Sequence, residues 1–294
     1  MSNIIESIYN SSSLFEKIYQ ESFFAKPLHL VKRYAIWIKY KTQMIKQVIN
    51  TIPRCLGLEN KRFAPLREFK GKYKGKRVFI TCTGPSLTIE DLEMLKGEYV
   101  FGMNSICLIH DKTDWKPDFF GCQDKHVFEK IKDTMLSTDN GIVFMPYYYK
   151  KHYNTPDEYV YFHMSGAYHL YEMIYGPKYF AKFSDDCYKT VYDGYTITYS
   201  IMQLAIYIGF DDLYLIGADC SYLGKKEHFI ETGHHDPGVQ YAAERMFASY
   251  GVAKEYAEAH GVKIFNATRG GCLEMFPRMV LEDVLAKNEK NKNC

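Results

Sequence analysis

Several polar clusters follow short apolar runs, and their residue types suit the holding of a nucleotide. After the first run comes Thr81-Cys-Thr-Gly-Pro-Ser-Leu, with Thr83, Gly84, Pro85 and Ser86 in the turn. A Gly-Pro-Ser turn lets the backbone approach a ligand, and free amides at the following helix start can face an anion. The stretch is neither G-x-G-x-x-G nor a P-loop, so it indicates neither a dinucleotide site nor a standard ATPase site. After the second run comes Gly102-Met-Asn104-Ser, and after the third Cys122-Gln123-Asp124. An amide side chain both donates and accepts, as the edge of a base or a sugar hydroxyl requires. A late run ends Gly217-Ala-Asp219-Cys-Ser-Tyr222, and His228, His234, His235 and Asp236 follow. These histidines can serve as proton acceptors, bind a metal, or face solvent. The segment lacks H-E-x-x-H and offers no third ligand at helical spacing. No D-x-D occurs, which argues against a glycosyltransferase that holds its donor through a carboxylate-bound divalent ion.

Positioning these clusters is a matter of alternating elements. Arg77–Thr83, Tyr99–Asn104, Asp118–Gln123, Gly141–Met145, Glu158–His163, Asp212–Gly217 and Val262–Asn266 are apolar runs of strand length. Helical patterns at Ile89–Leu95, His126–Leu136, Thr198–Ile208 and Tyr241–His260 separate many of them, and Phe276–Leu285 follows the last. Such alternation predicts an α/β fold: a Rossmann-like, mainly parallel sheet with helices on both faces. In open sheets of this kind the ligand lies beyond the carboxyl ends of the strands, where the polar clusters would converge.

The chain of 294 residues is 47% hydrophobic and 16% aromatic, long enough for a real core and too sticky for a disordered chain. It contains no uninterrupted apolar stretch of membrane-spanning length, and Met1–Gln20 carries Glu6 and Glu16 in place of a secretory apolar run. The expected location is the cytoplasm. The eight cysteines include no C-x-x-C pair, so buried reduced thiols are expected. The net charge of +2 hides a split, because Lys26–Arg77 holds fifteen basic residues against Glu59 and Glu68. Within it Leu28–Ile52 reads as an amphipathic helix with lysines in the gaps, stopped by Pro53. Residues 1–75 are therefore expected as a basic helical arm and linker, and 76–294 as the catalytic domain. The arm suits an anionic membrane surface at residues 26–77, on the inner face, or packing on the body or a second subunit. No nucleic-acid partner is expected.

The Gly84-Pro85-Ser86-Leu87 turn, Asn104, the Ile208–Asp219 stretch, Asn266–Gly271 and Phe276-Pro-Arg278 together resemble a family of bacterial surface-polysaccharide clusters. That family is named for likeness to archaeal 6-hydroxymethylpterin diphosphokinases. It also resembles bacterial CMP-sialic acid sialyltransferases (glycosyltransferase family 42-like) and flagellin-modifying glycosyltransferases. The likeness covers roughly Lys76–Ala286. It implies that Gly84, Pro85, Ser86, Asn104 and Gln123 hold CMP, with Asp124 and Gly217 alongside. Thr196 and Thr198 resemble the family's Ser/Thr-rich helix start, Asp219 the Asp ending the late strand, and Tyr222 the Tyr that steadies the leaving phosphate. His234 and His235 are similar to the catalytic base, and His228 stands where a second phosphate-binding Tyr is usual.

What the resemblance implies is metal-independent, inverting transfer of an acidic sugar, sialic-acid-like or Kdo-like, from a CMP donor to a surface glycan acceptor. No cofactor is expected. Aromatic-rich loops at Tyr147–Tyr149 and Tyr153 suggest an acceptor-side wall, or packing. The competing readings are an ATP-dependent pterin diphosphokinase, with Asp124, Asp219 and Asp236 on Mg²⁺, and a non-catalytic nucleotide-binding protein.

Overall fold

The computed structural model describes residues 25–58, 61–175, 179–220 and 242–292. In chain order its strands are β1 (Arg77–Thr81), β2 (Val100–Met103), β3 (Phe119–Gly121), β4 (Ile142–Pro146), β5 (Val160–Phe162), β6 (Met164–Ser165), β7 (Val191–Tyr192), β8 (Asp212–Ile216) and β9 (Lys263–Asn266). Seven form one parallel sheet in the order β5-β4-β3-β2-β1-β8-β9. All seven coincide with the apolar runs, their ends shifted by at most two residues, and β4 runs one residue past its run to Pro146. β6 and β7 make a separate two-stranded parallel sheet that the sequence did not announce, being too short for periodicity to register.

Every residue of β2 and β3, and all but the first of β1 and β8, is buried. Successive strand residues point to opposite faces, so both faces are covered and the fold is α/β. The chain leaves central β1 toward β2 through β5 on one side, then returns to place β8 and β9 on the other. The loops after β1 and β8 thus diverge at a topological switch point, where such sheets open a crevice.

The helices are α1 (Ala25–Cys55), α2 (Ala64–Glu68), α3 (Ile89–Met94), α4 (Lys125–Ser137), α5 (Tyr147–Tyr153), α6 (His169–Tyr175), α7 (Ile197–Ile208), α8 (Ala242–Ala259) and α9 (Leu281–Lys292). α7 is apolar nearly all round and buried at all but one of its twelve residues, as a helix enclosed by a core must be. Pro53 does not stop α1. It lies in the last turn, and Leu56 N–H still donates to Ile52 O at 2.9 Å. A proline there forfeits only one intrahelical bond. The last helix also differs from expectation. Phe276 is a buried core residue, and Asn266 pairs with the Pro277–Met279 segment before α9 begins.

The segment between α1 and β1 docks on the sheet. Leu66 is fully buried, Gly71 and Tyr73 donate to the carbonyls of Tyr207 and Ile208, and the Tyr73 ring stacks on Phe210 at 5.0 Å. The apolar core therefore reaches N-terminally of residue 76. The aromatic stretch Tyr147–Tyr153 is helix rather than loop. The Tyr149 hydroxyl is spent on the Gln123 carbonyl at 2.8 Å and the Tyr153 hydroxyl on Glu129 at 2.6 Å. Packing is the role these rings show. No described helix is long and apolar enough to cross a membrane.

Candidate nucleotide site

The turn after β1 is tied to the loop after β8 by short bonds. Cys82 N–H donates to Ile216 O at 2.8 Å, and Gly84 N–H to Gly217 O at 2.9 Å. The Asp219 carboxylate, 7% exposed, accepts from the Ser86 hydroxyl at 2.8 Å and from Ser86 N–H at 3.3 Å. This close approach requires glycine at 84, because a Cβ there would collide with the Asp219 carboxylate and the Gly217 carbonyl. Gly217 has φ +66°, a left-handed conformation that glycine adopts without steric cost. Behind them Cys272 N–H donates to the Asp219 carbonyl at 2.7 Å. Asp219 is thus a hub that fixes three loops, with one carboxylate oxygen committed to Ser86.

A cavity of about 480 Å³ opens above this floor. That size lies within the usual range of small-molecule sites. Thr83, Gly84, Pro85, Gly217 and Asp219 line one side of it, Asn104, Gln123 and Asp124 another, and Thr196 and Thr198 a third. Ser86 lies behind, in the Asp219 bond. The residues expected from four strand ends and the α7 start therefore meet in one place. Thr196 is the N-cap of α7, its hydroxyl accepting from Thr198 N–H at 3.3 Å, so the positive end of a twelve-residue helix dipole faces the cavity. Thr198 is turned instead toward sulfur, 3.5 Å from Cys82 Sγ and 3.7 Å from Met103 Sδ. Asp124 caps α4 by accepting from Val127 N–H at 2.9 Å.

Several polar atoms lining the cavity are buried with no hydrogen-bond partner among the described residues, among them the amide oxygens Asn104 Oδ1 and Gln123 Oε1, His169 Nε2 and the Tyr195 hydroxyl. Gln123 Nε2 donates to Asp193 at 3.3 Å. Backbone strain gathers at the same place. Among the described non-glycine residues, positive φ occurs at Asn104 (+50°), Asn154 (+48°), Tyr195 (+68°) and Cys220 (+53°), and all but Asn154 line the cavity. Such conformations cost on the order of 1–3 kcal/mol each and cluster at functional sites. Burial pushes the Cys82 and Cys220 thiols up to about 12, which removes both as neutral-pH nucleophiles.

One wall was not read from the sequence. His169, first residue of α6, stands with Nε2 3.7 Å from Asp193 Oδ1, and its ring stacks on Tyr195 at 4.1 Å. Asp193 also accepts from Tyr195 N–H at 3.0 Å. Burial raises the Asp193 carboxyl above its ordinary value, with the neighbouring His169 opposing the shift. Arg245 of α8 completes this wall, over the Tyr195 ring at 6.0 Å and 3.1 Å from Glu172. The Asp193-Gly-Tyr-Thr196 stretch directly before α7 was the available signal. His169 had none, since no predicted element carried it.

Tyr222, His228, His234 and His235, with Asp236, lie outside the described residues. Among the described residues no three His, Cys, Asp or Glu side chains gather as a metal site.

A solved structure of a MAf glycosyltransferase from Magnetospirillum magneticum AMB-1 is similar to this chain at 14% identity and a TM-score of 0.40. The match covers 78% of this chain and 40% of that one, so the chain spans under half of its length. No curated protein matches the sequence. The family model described as 6-hydroxymethylpterin diphosphokinase MptE-like matches residues 58–225, more than half of the 294 residues, and the chain belongs to that family.

Proposed function

We propose that the protein is a metal-independent glycosyltransferase. In this reading it moves an acidic sugar, sialic-acid-like or Kdo-like, from a CMP-activated donor to a surface glycan acceptor, in the cytoplasm at the inner face of the membrane. The observation that supports it most directly is the pair of unused amide oxygens, Asn104 Oδ1 and Gln123 Oε1, beside the Gly84 turn and the α7 N-terminus. An amide side chain can accept from the exocyclic amino group of cytosine, while turn amides and a helix dipole favour a phosphate. His235 takes the acceptor proton as the hydroxyl attacks the anomeric carbon, with His234 as its neighbour in reserve. Tyr222 and His228 steady the departing CMP phosphate.

A second reading is ATP-dependent pyrophosphoryl transfer to a pterin alcohol, as the family's description suggests. Asp124, Asp193 and Asp219 favour it by lining one cavity, since carboxylates are what Mg²⁺ requires. Asp124 and Asp219 already accept bonds from Val127 and Ser86, which lowers their freedom to ligate.

Thermal shift with CMP, CTP, UDP and ATP, with and without EDTA or Mg²⁺, separates the two. A ligand at a hundred times its dissociation constant adds about 2.7 kcal/mol. Stabilisation by CMP in EDTA is the expected result. Stabilisation by ATP with Mg²⁺ but not by CMP would transfer the assignment to the diphosphokinase reading.

A further inference from the structure

α1 turns a mixed face to the body, with Ile36, Tyr40 and Met44 half-buried beside polar residues, and leaves an apolar stripe outward. Gln47 and Arg54, 9% and 5% exposed, face inward. Gln47 Oε1 accepts from the Ser165 hydroxyl at 2.5 Å, and Arg54 donates to the Lys189 carbonyl at 2.5 Å. Arg33 holds the Ile174 carbonyl through two donors at 3.1 and 2.7 Å. On the opposite side Leu30, Val31, Ile38, Ile45, Ile49 and Ile52 are 65%, 64%, 46%, 59%, 59% and 45% exposed. Their spacing sets them on one stripe, which at 1.5 Å per residue runs about 33 Å. An isolated exposed isoleucine needs no explanation, but a continuous stripe of this length does.

Charge selects the occupant. Ala25–Cys55 contains seven Lys or Arg and no carboxylate. A second copy laid along this stripe would bring two helices of the same strong positive charge together. Anionic lipid supplies the opposite charge and an apolar interior at once. Tyr34 and Trp37, 63% and 37% exposed and stacked at 5.8 Å, are residue types favoured at the lipid headgroup level. We propose that α1 lies in the plane of an anionic membrane surface, with the Leu30–Ile52 stripe inserted and Lys32, Lys39 and Lys46 at the headgroups. Because α1 holds Ile174 in α6 and Ser165 in β6, the bilayer would lie against the part of the body that carries His169.

The test uses the full chain and needs no activity assay. Vesicles of equal parts phosphatidylserine and phosphatidylcholine should sediment the protein, and phosphatidylcholine alone should not. The exposed double variant Ile38→Asp/Ile45→Asp should lower partitioning at least about tenfold with an unchanged melt, and so should Lys32→Gln/Lys39→Gln/Lys46→Gln. Equal vesicle binding by both variants overturns the proposal. So does a concentration-dependent dimer in sedimentation velocity that the isoleucine variant abolishes, which assigns the stripe to a second copy. Failure of the intact chain to bind also overturns it. If removal of residues 1–24 then creates binding, the stripe's occupant in the intact chain is that segment.

Discussion

The Ser86–Asp219 bond makes the sharpest test of how this site is held. If Asp219 acts by pinning the turn, Ser86→Ala and Asp219→Asn break the same interaction and their effects overlap. A hydrogen bond to a charged group contributes about 1.5–3 kcal/mol, and the 2.8 Å hydroxyl contact is a short one. Ser86→Ala leaves the carboxylate, among the described residues, the longer Ser86 N–H bond at 3.3 Å and should cost about 1.5–2 kcal/mol. Asp219→Asn keeps the shape, loses the charge and should cost a similar amount. The double variant should then fall short of the sum by at least about 1 kcal/mol, against the near-additivity of independent sites. Urea midpoints at constant m report the stability cycle. Titration with CMP reports the second cycle, in which each single variant should weaken binding about tenfold, or about 1.4 kcal/mol, through a displaced turn. Additivity in both cycles would refute the reasoning. Asp219 would then act on the ligand directly and Ser86 separately.

Gly84→Ala must move the backbone, because the new Cβ meets the Asp219 carboxylate. CMP binding should be lost while far-UV circular dichroism persists, and unchanged affinity would show that the turn is not in contact with the ligand. His163 sets an acid limit. Burial, assisted by the Arg54 guanidinium, lowers its imidazole to about 4, so between about pH 6.5 and 4 the unfolded chain binds the extra proton. Stability should therefore fall as pH drops through that window, by up to about 3 kcal/mol, and His163→Gln should flatten the slope in pH-dependent urea melts. For catalysis, His235→Ala should lower turnover about 100-fold with nucleotide affinity nearly unchanged, and His228→Ala should weaken both. Full activity in both His234→Ala and His235→Ala, with loss in His169→Ala, would move the base to the Asp193 wall.

What could be read from the chain alone follows from how local each signal is. A buried parallel strand announces itself in four to seven consecutive residues, so Val78-Phe-Ile and Leu213-Tyr-Leu-Ile were found with nearly their true ends. The strand-end residues were then placed by the fold itself, since parallel strands gather their carboxyl ends at one edge. Gly84 and Asn104 converge for that reason, although their contacts were not predictable. Pro53 misled because its cost depends on position. In a last turn it costs one bond and leaves little helix beyond it to disrupt, so the helix runs on two residues to Cys55. Phe276 misled in another way: an apolar residue near a helical pattern is equally suited to the core, and only the Asn266 pairing decides.

The missed wall exposes a different limit. His169 and Asp193 are 24 positions apart and are brought near each other by the pairing of β6 with β7, whose two-residue length has no sequence period. Tyr195 and Cys220 are harder still. Local rules assign a left-handed backbone to glycine or asparagine, and a tyrosine or cysteine at φ +68° or +53° contradicts them. Such conformations persist only where surrounding structure over-determines them. At Tyr195 the His169 ring stacks on the side chain and the Asp193 carboxylate holds the backbone N–H. Cys220 directly follows Asp219, whose carbonyl and carboxylate are fixed by Cys272 and Ser86. Strain at both positions is thus borne by contacts that also shape the cavity. Relaxing either residue to an extended conformation would move Thr196 at the α7 N-terminus or the Asp219 hub. The positions where local sequence rules fail are therefore the ones that fix the geometry of the site.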